Sequence, residues 1–142
     1  MNWLDYRERL GISCNNKDLF SILQNKVVNF IKYSDESPEY SSNELFDFCM
    51  YTGLSFEEYE GDGTLDDLAV IFETECKNTK DIVSYFIAFV QTCALEVNEK
   101  LKLIKKLQQF LMESRCEFEI YQDSDGYFLF PIGASELDKR LV

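Results

Sequence analysis

Residues 81–95 are the most apolar part of the chain, and they restrict the fold more than any other feature. A helix drawn through this segment is apolar on nearly every side, with Ile82, Val83, Phe86, Ile87, Phe89, Val90, Cys93 and Ala94. A helix that is hydrophobic all round is a buried helix. The run is too short and too interrupted by polar residues to span a bilayer. We therefore predict that residues 81–95 form the central and most buried helix of a folded domain.

Most of the remaining chain repeats apolar residues at helical spacing. The pattern predicts helices over residues 3–10, 41–52, 64–76 and 99–114, and a helix that starts after residue 15 or 16 and runs to 33. A short helix or single turn is predicted after Ser55. Ser41-x-x-Glu44 and Ser55-x-x-Glu58 both have the form of a capping box. Gly53 is expected to end one helix and Thr64 to cap the next. A break at residues 96–98 divides the long helical pattern between 81 and 114.

The apolar period changes to two near the C-terminus. Cys116, Phe118 and Ile120 alternate with glutamates, residues 123–126 have the composition of a turn, and residues 127–130 follow as a second strand. Residues 134–142 are expected to add a final helical turn or two. We predict a mainly α fold, namely an orthogonal bundle of six to seven helices with one C-terminal antiparallel β-hairpin, in a single domain over residues 1–142.

Charge is distributed very unevenly along the chain. The segment from Asp35 to Glu75, here called the acidic segment, contains thirteen Asp and Glu residues and no Lys or Arg. The rest of the chain sums to +1, so the acidic segment accounts for the whole net charge of −12. Such a segment repels nucleic-acid phosphates and anionic membranes, and it attracts basic partners. We therefore expect a basic protein partner, no direct contact with nucleic acid and no membrane association.

The composition argues against an enzyme. The chain has no histidine, which removes histidine-based triads and histidine-containing zinc sites. Its five cysteines are far apart and form no C-x-x-C pair, so they are interpreted as reduced, mostly buried thiols. Nothing in the spacing of the carboxylates selects an acid–base pair or a metal site. The sequence predicts no catalytic residue, no metal and no cofactor.

Aromatic residues are interleaved with the carboxylates of the acidic segment. Carboxylates steer a cationic partner and aromatic side chains anchor it, so this mixture is typical of a protein-binding surface. The main alternative is an ordinary solvated face that keeps the protein soluble. The predicted contact is centred on residues 55–62 and comprises Glu39, Tyr40, Phe56, Glu57, Glu58, Tyr59, Glu60, Asp62, Asp66 and Asp67.

A smaller basic cluster lies on the last predicted long helix. Lys100, Lys102, Lys105 and Lys106 are interpreted as the solvent side of an amphipathic helix. The alternative is that they pair with the acidic segment, either inside the molecule or across a homodimer. Because charged residues precede any apolar run at the N-terminus, we expect no signal peptide and a cytoplasmic protein.

The C-terminal sequence resembles a known bacterial segment. Gly126-Tyr-Phe-Leu-Phe-Pro-Ile-Gly-Ala-Ser-Glu-Leu-Asp138, followed by Leu141-Val142, is similar to helical domains of abortive-infection (phage-defence) proteins. There a hairpin ends in an aromatic–Pro–x–Gly–Ala turn. The resemblance covers fewer than 20 of the 142 residues, and it implies a helical fold and a bacterial conflict setting without an active site.

The function expected from these features is the neutralisation of a basic partner. A small acidic domain without catalytic residues resembles the immunity proteins of toxin–immunity pairs, such as those of contact-dependent growth inhibition. The expected partner is a basic bacterial nuclease toxin, whose active site or nucleic-acid groove the carboxylates would occlude. One alternative is a regulatory or sensing module of a phage-defence system, which gene neighbourhood would distinguish. A second alternative is a carboxylate-dependent, metal-assisted enzyme.

Overall fold

The structure is a computed structural model that describes residues 17–59, 64–113, 118–122 and 127–131. Its described part contains five α-helices and one 3₁₀ turn. The helices are α1 (Lys17–Tyr33), α2 (Ser42–Thr52), α3 (Thr64–Thr74), α4 (Thr79–Thr92) and α5 (Val97–Glu113), and the 3₁₀ turn (Phe56–Glu58) lies between α2 and α3. The mainly helical class predicted from the sequence is confirmed. The predicted helical segments at 3–10 and 134–142 lie outside the described residues.

Helix α4 is the centre of the core, as its apolar sequence predicted. Eleven of its fourteen residues are buried, and α1, α2 and α5 pack against it. Phe86 contacts Phe30 of α1 with ring centroids 6.3 Å apart, and Phe89 contacts Tyr40 at 5.3 Å. The side chain of Asn78 caps this helix by accepting the backbone N–H of Asp81.

The other helices bury one face each. α1 buries Leu23, Val27 and Ile31, at the i, i+4 and i+8 positions that its sequence predicted. α5 is amphipathic as predicted, and its buried residues are Leu103, Ile104, Leu107 and Leu111. No helix in the described part of the chain combines the length and the apolar character needed to cross a membrane.

Helix α2 is fixed at both ends by local sequence. The Ser41 hydroxyl accepts the N–H of Glu44, and the Glu44 carboxylate accepts the N–H of Ser41, which completes the predicted capping box. At the other end Gly53 adopts a left-handed conformation with φ of 79°, and its N–H donates to the carbonyl of Cys49. A left-handed residue at this position strongly favours glycine, and the predicted end of the helix is confirmed.

Three details of the helix ends differ from the sequence-based expectation. The predicted single turn after Ser55 is present as the 3₁₀ turn, but Ser55 makes no side-chain capping hydrogen bond. Thr64 is the first residue of α3, and its hydroxyl donates to the carbonyl of Tyr40. α4 ends at Thr92, a few residues before the predicted break, where Cys93 turns to extended backbone.

Two short strands follow the helices. β1 (Phe118–Gln122) and β2 (Tyr127–Pro131) pair antiparallel, with Phe118 opposite Pro131 and Gln122 opposite Tyr127. The backbone of β2 lies beside α4 and that of β1 beside α5. The predicted turn at residues 123–126 lies outside the described residues.

Candidate functional site

The carboxylates of the acidic segment lie on the outside of the molecule. Ten of them have described side chains, and none of these ten is buried: Asp35, Glu36, Glu39, Glu44, Asp47, Glu57, Asp66, Asp67, Glu73 and Glu75. Of the predicted contact residues, the Glu58 side chain and all of Glu60 and Asp62 fall outside the described part of the chain. The charge that the sequence places in this segment is therefore available to solvent at every described position.

These carboxylates do not form one uniform face, because several have structural partners. The carboxylate of Glu36 forms an ion pair with Lys106 of α5, at 3.3 Å. Glu44 is occupied by the capping box and also accepts the N–H of Ala94 after α4. Glu75, at the end of α3, accepts the hydroxyl of Tyr59. These three carboxylates already have partners within the protein and are less available to a second protein.

The basic cluster on α5 is only partly directed at the acidic segment. Lys106 makes the ion pair with Glu36, which supports the intramolecular alternative for this residue. Lys102 instead pairs with Glu99 on its own helix at 3.2 Å, and Lys100 donates to the carbonyl of Gln91. The acidic segment is thus neutralised at one point by these lysines, within the part of the chain that is described.

Tyr40 is not the exposed anchor that the sequence led us to expect. Only 6% of the residue is exposed, and its ring packs edge-on against Phe89. Its hydroxyl lies 2.6 Å from Thr92 Oγ1 and donates to the carbonyl of Glu44 at 3.2 Å. Burial raises the pKa of this phenol far above its ordinary value. Tyr40 belongs to the core, and a partner cannot use its ring.

The remaining predicted contact residues are accessible to different degrees. Glu39, Glu57 and Asp66 are exposed, whereas Phe56, Tyr59 and Asp67 are half-buried. Asp66 and Asp67 lie in the first turn of α3, where carboxylates interact favourably with the helix dipole. Lys32 of α1 lies near this helix: Tyr33 is the main cause of its raised pKa, and the charge of Asp66 adds to it.

An apolar stripe on the outer side of α2 was not among the residues predicted from the sequence. Phe46 is 46% exposed and Met50 is 67% exposed, one helical turn apart, with exposed Asp47 beside them. The ring of Phe46 meets Phe56 of the 3₁₀ turn edge-on, at 5.4 Å. Helical spacing contained the signal, because the core positions of α2 leave Phe46 and Met50 on the opposite side.

These residues form one surface that combines apolar and acidic groups. Phe46, Asp47, Met50, Phe56 and Glu57 are here called the α2 surface. Neither Asp47 nor Glu57 makes an ion pair with a described residue. Exposed methionine and phenylalanine beside exposed carboxylates match a partner with both apolar and cationic groups.

A groove lined by the first residues of the acidic segment has a different character from the α2 surface. It has a volume of about 560 Å³ and lies between α5 and residues 35–38, with Phe30, Leu95 and Leu103 in its wall. Its charged lining carries both signs: Asp35, Glu36, Glu99, Lys102 and Lys106. Because both lysines are paired with carboxylates of the lining, the groove offers no strong preference for one sign of charge.

The described cysteines have the character of core residues. Cys49, Cys76 and Cys93 are free thiols and are buried, as predicted for most of the cysteines. Burial raises the pKa of Cys49 to about 11 and that of Cys93 to about 12. These two thiols are protonated at neutral pH and are poor nucleophiles. Cys14 and Cys116 lie outside the described residues.

No group of three or more Cys, Asp or Glu side chains lies close enough to hold a metal ion, within the described ranges.

The chain matches no protein-family model, and no curated protein or solved structure matches it significantly.

Proposed function

We propose that this chain is a non-catalytic domain that binds and neutralises a basic protein. The observation that carries the proposal is the α2 surface, where Asp47 and Glu57 lie beside exposed Phe46 and Met50 and form no ion pair with any described residue. No lysine or arginine occurs within the 41 residues of the acidic segment that surround it in sequence. An ordinary solvated face would mix both signs of charge.

Electrostatics gives such a surface an advantage in the rate of binding. A field of one sign steers an oppositely charged protein, and it raises association rate constants by orders of magnitude above those of neutral pairs. Exposed carboxylates outside the α2 surface, among them Glu39 and Asp66, contribute to the same field. Aromatic and methionine side chains then supply the desolvated contacts that slow dissociation.

The partner proposed on these grounds is a basic bacterial toxin, most concretely a nuclease. A nuclease needs a cationic groove to hold its substrate, because phosphate contacts dominate nucleic-acid affinity. Carboxylates placed over that groove would compete for the same cations and occlude the active site. The chain would then act as an immunity protein, without itself contacting nucleic acid.

The proposal includes the finer description of the fold. We infer an orthogonal bundle of six to seven helices with a C-terminal hairpin, which counts the segments predicted at residues 3–10 and 134–142. Glu58, Glu60 and Asp62 remain predicted members of the binding surface. Tyr40 is removed from it, and Phe46, Asp47 and Met50 are added.

Capture from a lysate of the organism that encodes the chain tests this function. The immobilised wild type is compared with a double variant, Asp47→Asn with Glu57→Gln, which removes the two carboxylate charges of the α2 surface with little change in side-chain size. The wild type should retain a strongly basic protein and release it when salt is raised. The double variant should retain at least about tenfold less of this basic protein, because both charges lie in the contact.

A second double variant controls for net charge. Asn25→Lys with Asn29→Lys acts on two exposed positions of α1, and both double variants change the net charge from −12 to −10. The α1 variant should retain most of the captured protein. If the two variants lose it equally, net charge and not the α2 surface governs binding. If the wild type retains no basic protein, the proposed function is wrong.

A further inference from the structure

The apolar part of the α2 surface calls for an explanation beyond charge. α2 has eleven residues, and its inward side already contributes Leu45, Phe48 and Cys49 to the core. Phe46 and Met50 lie on the other side, where they add nothing to that packing. The contact between the rings of Phe46 and Phe56 fixes the position of Phe46 but leaves almost half of it exposed. Contiguous exposed apolar surface is typical of interaction sites, and Phe46 and Met50 adjoin each other on this face.

The geometry of the stripe suggests the shape of the complementary group. Phe46 and Met50 are separated by four residues, which is one helical turn and about 6 Å along the axis. A partner helix presents its own apolar side chains at the same spacing, and such helices pack with ridges in grooves. Met50 also adapts its shape readily, which is why methionine is frequent on surfaces that accept helices.

The carboxylates beside the apolar stripe determine which charge a partner helix must carry next to its own apolar side chains. Asp47 lies between Phe46 and Met50 in sequence, and Glu57 follows Phe56 in the adjoining turn. Both carboxylates are exposed. An anionic helix would place like charges opposite them, whereas lysine or arginine beside the apolar stripe would pair with them.

We propose that the α2 surface is a docking site for a cationic amphipathic helix of the partner protein. Its apolar side chains would lie on Phe46 and Met50, and its cations would lie against Asp47 and Glu57. This inference rests on the proposed function and specifies the partner segment that the site recognises. It also separates the apolar contribution to binding from the charge contribution.

The test uses a synthetic peptide of about 18 residues that is built from leucine and lysine. Its leucines recur every three or four residues, so that they form one face of a helix, and lysines fill the remaining positions. Binding of the fluorescently labelled peptide to the full chain is followed by anisotropy at low salt. A leucine–glutamate peptide of the same pattern is the probe for charge. The lysine peptide should bind, and the glutamate peptide should bind at least about tenfold more weakly.

A matched pair of variants tests the position. Met50→Ser is compared with Met112→Ser, since Met112 is 66% exposed and lies at the end of α5. Met50→Ser should weaken binding of the lysine peptide by about tenfold, whereas Met112→Ser should leave it unchanged. Phe46→Ser should act in the same direction as Met50→Ser. Circular dichroism of each variant verifies that the helices are retained. If Phe46→Ser proves to be unfolded, the test is decided by Met50→Ser alone, because Met50 is the more exposed residue.

Three results would overturn the inference: no binding of the lysine peptide, equal binding of the two peptides, or equal effects of Met50→Ser and Met112→Ser. None of these results affects the outcome of the capture experiment, in which a basic protein can still be retained through Asp47 and Glu57. Failure of the helix proposal and failure of the proposed function are therefore separate outcomes.

Discussion

Tyr40 illustrates what a single residue gains from a contact that is distant in sequence. Its neighbours Glu39 and Ser41 are exposed, yet its ring is enclosed by the core and its hydroxyl lies against Thr92. Fifty-two positions separate Tyr40 from Thr92. Tyrosine is often placed with its ring buried and its hydroxyl bonded, and the acidic sequence around Tyr40 hides that role. Local composition therefore suggested a binding residue where the fold uses a structural one.

The role of Tyr40 in the core can be measured with Tyr40→Phe. The change removes the hydroxyl and leaves the ring, so the hydrogen bonds of this hydroxyl with the Glu44 carbonyl and with Thr92 are lost. We expect the free energy of unfolding to fall by about 1 kcal/mol in urea denaturation. Binding of a basic partner should not change. Tyr33→Phe is the control, because Tyr33 is 71% exposed, and it should alter stability by less than about 0.5 kcal/mol. An unchanged unfolding free energy in Tyr40→Phe would contradict the buried hydrogen bonds.

The elements of the fold show which local signals are sufficient. The sequence predicted all five helices to within a few residues, because each has a regular apolar face. The end of α4 was placed too late. Glu44 accepts the N–H of Ala94 from 50 positions away and thereby supports the extended backbone after Cys93. No local pattern reveals such a contact.

Two copies of the same sequence signature also had different outcomes. Ser41-x-x-Glu44 forms both hydrogen bonds of a capping box, whereas Ser55 makes no side-chain capping bond at a turn of three residues. A capping box stabilises a helix by satisfying its first N–H groups. Where no full helix follows, the signature has little to stabilise.

The matched substitutions Ser41→Ala and Ser55→Ala test this difference. Ser41→Ala should lower the free energy of unfolding by about 1 kcal/mol, since it removes a helix cap. Ser55→Ala should change it by less than about 0.5 kcal/mol, because no side-chain bond is lost. Urea denaturation of both variants gives the comparison. Equal losses would show that Ser55 caps the 3₁₀ turn after all.

At the scale of the whole molecule, the sequence showed which segment carries the excess negative charge, but it did not show where each carboxylate lies on the surface. Counting residues was enough to locate the acidic segment and the central helix α4. Counting could not show that Glu36 turns toward Lys106 or that Glu44 is used in a cap. The direction of each side chain depends on how the helices pack. For the same reason Phe46 and Met50 emerged as site residues only once the inner face of α2 was known.

The dependence of the association rate on ionic strength tests steering by the acidic surface most directly. The rate constant is measured with the captured basic protein between about 20 and 500 mM salt, for the wild type and for both double variants. For the wild type and the α1 variant Asn25→Lys/Asn29→Lys, the association rate constant should fall by about tenfold or more across this range. For Asp47→Asn/Glu57→Gln, the rate constant should already be lower at low salt and should fall less as salt is raised. A rate that ignores salt, or the same slope in all three proteins, would contradict recognition through Asp47 and Glu57.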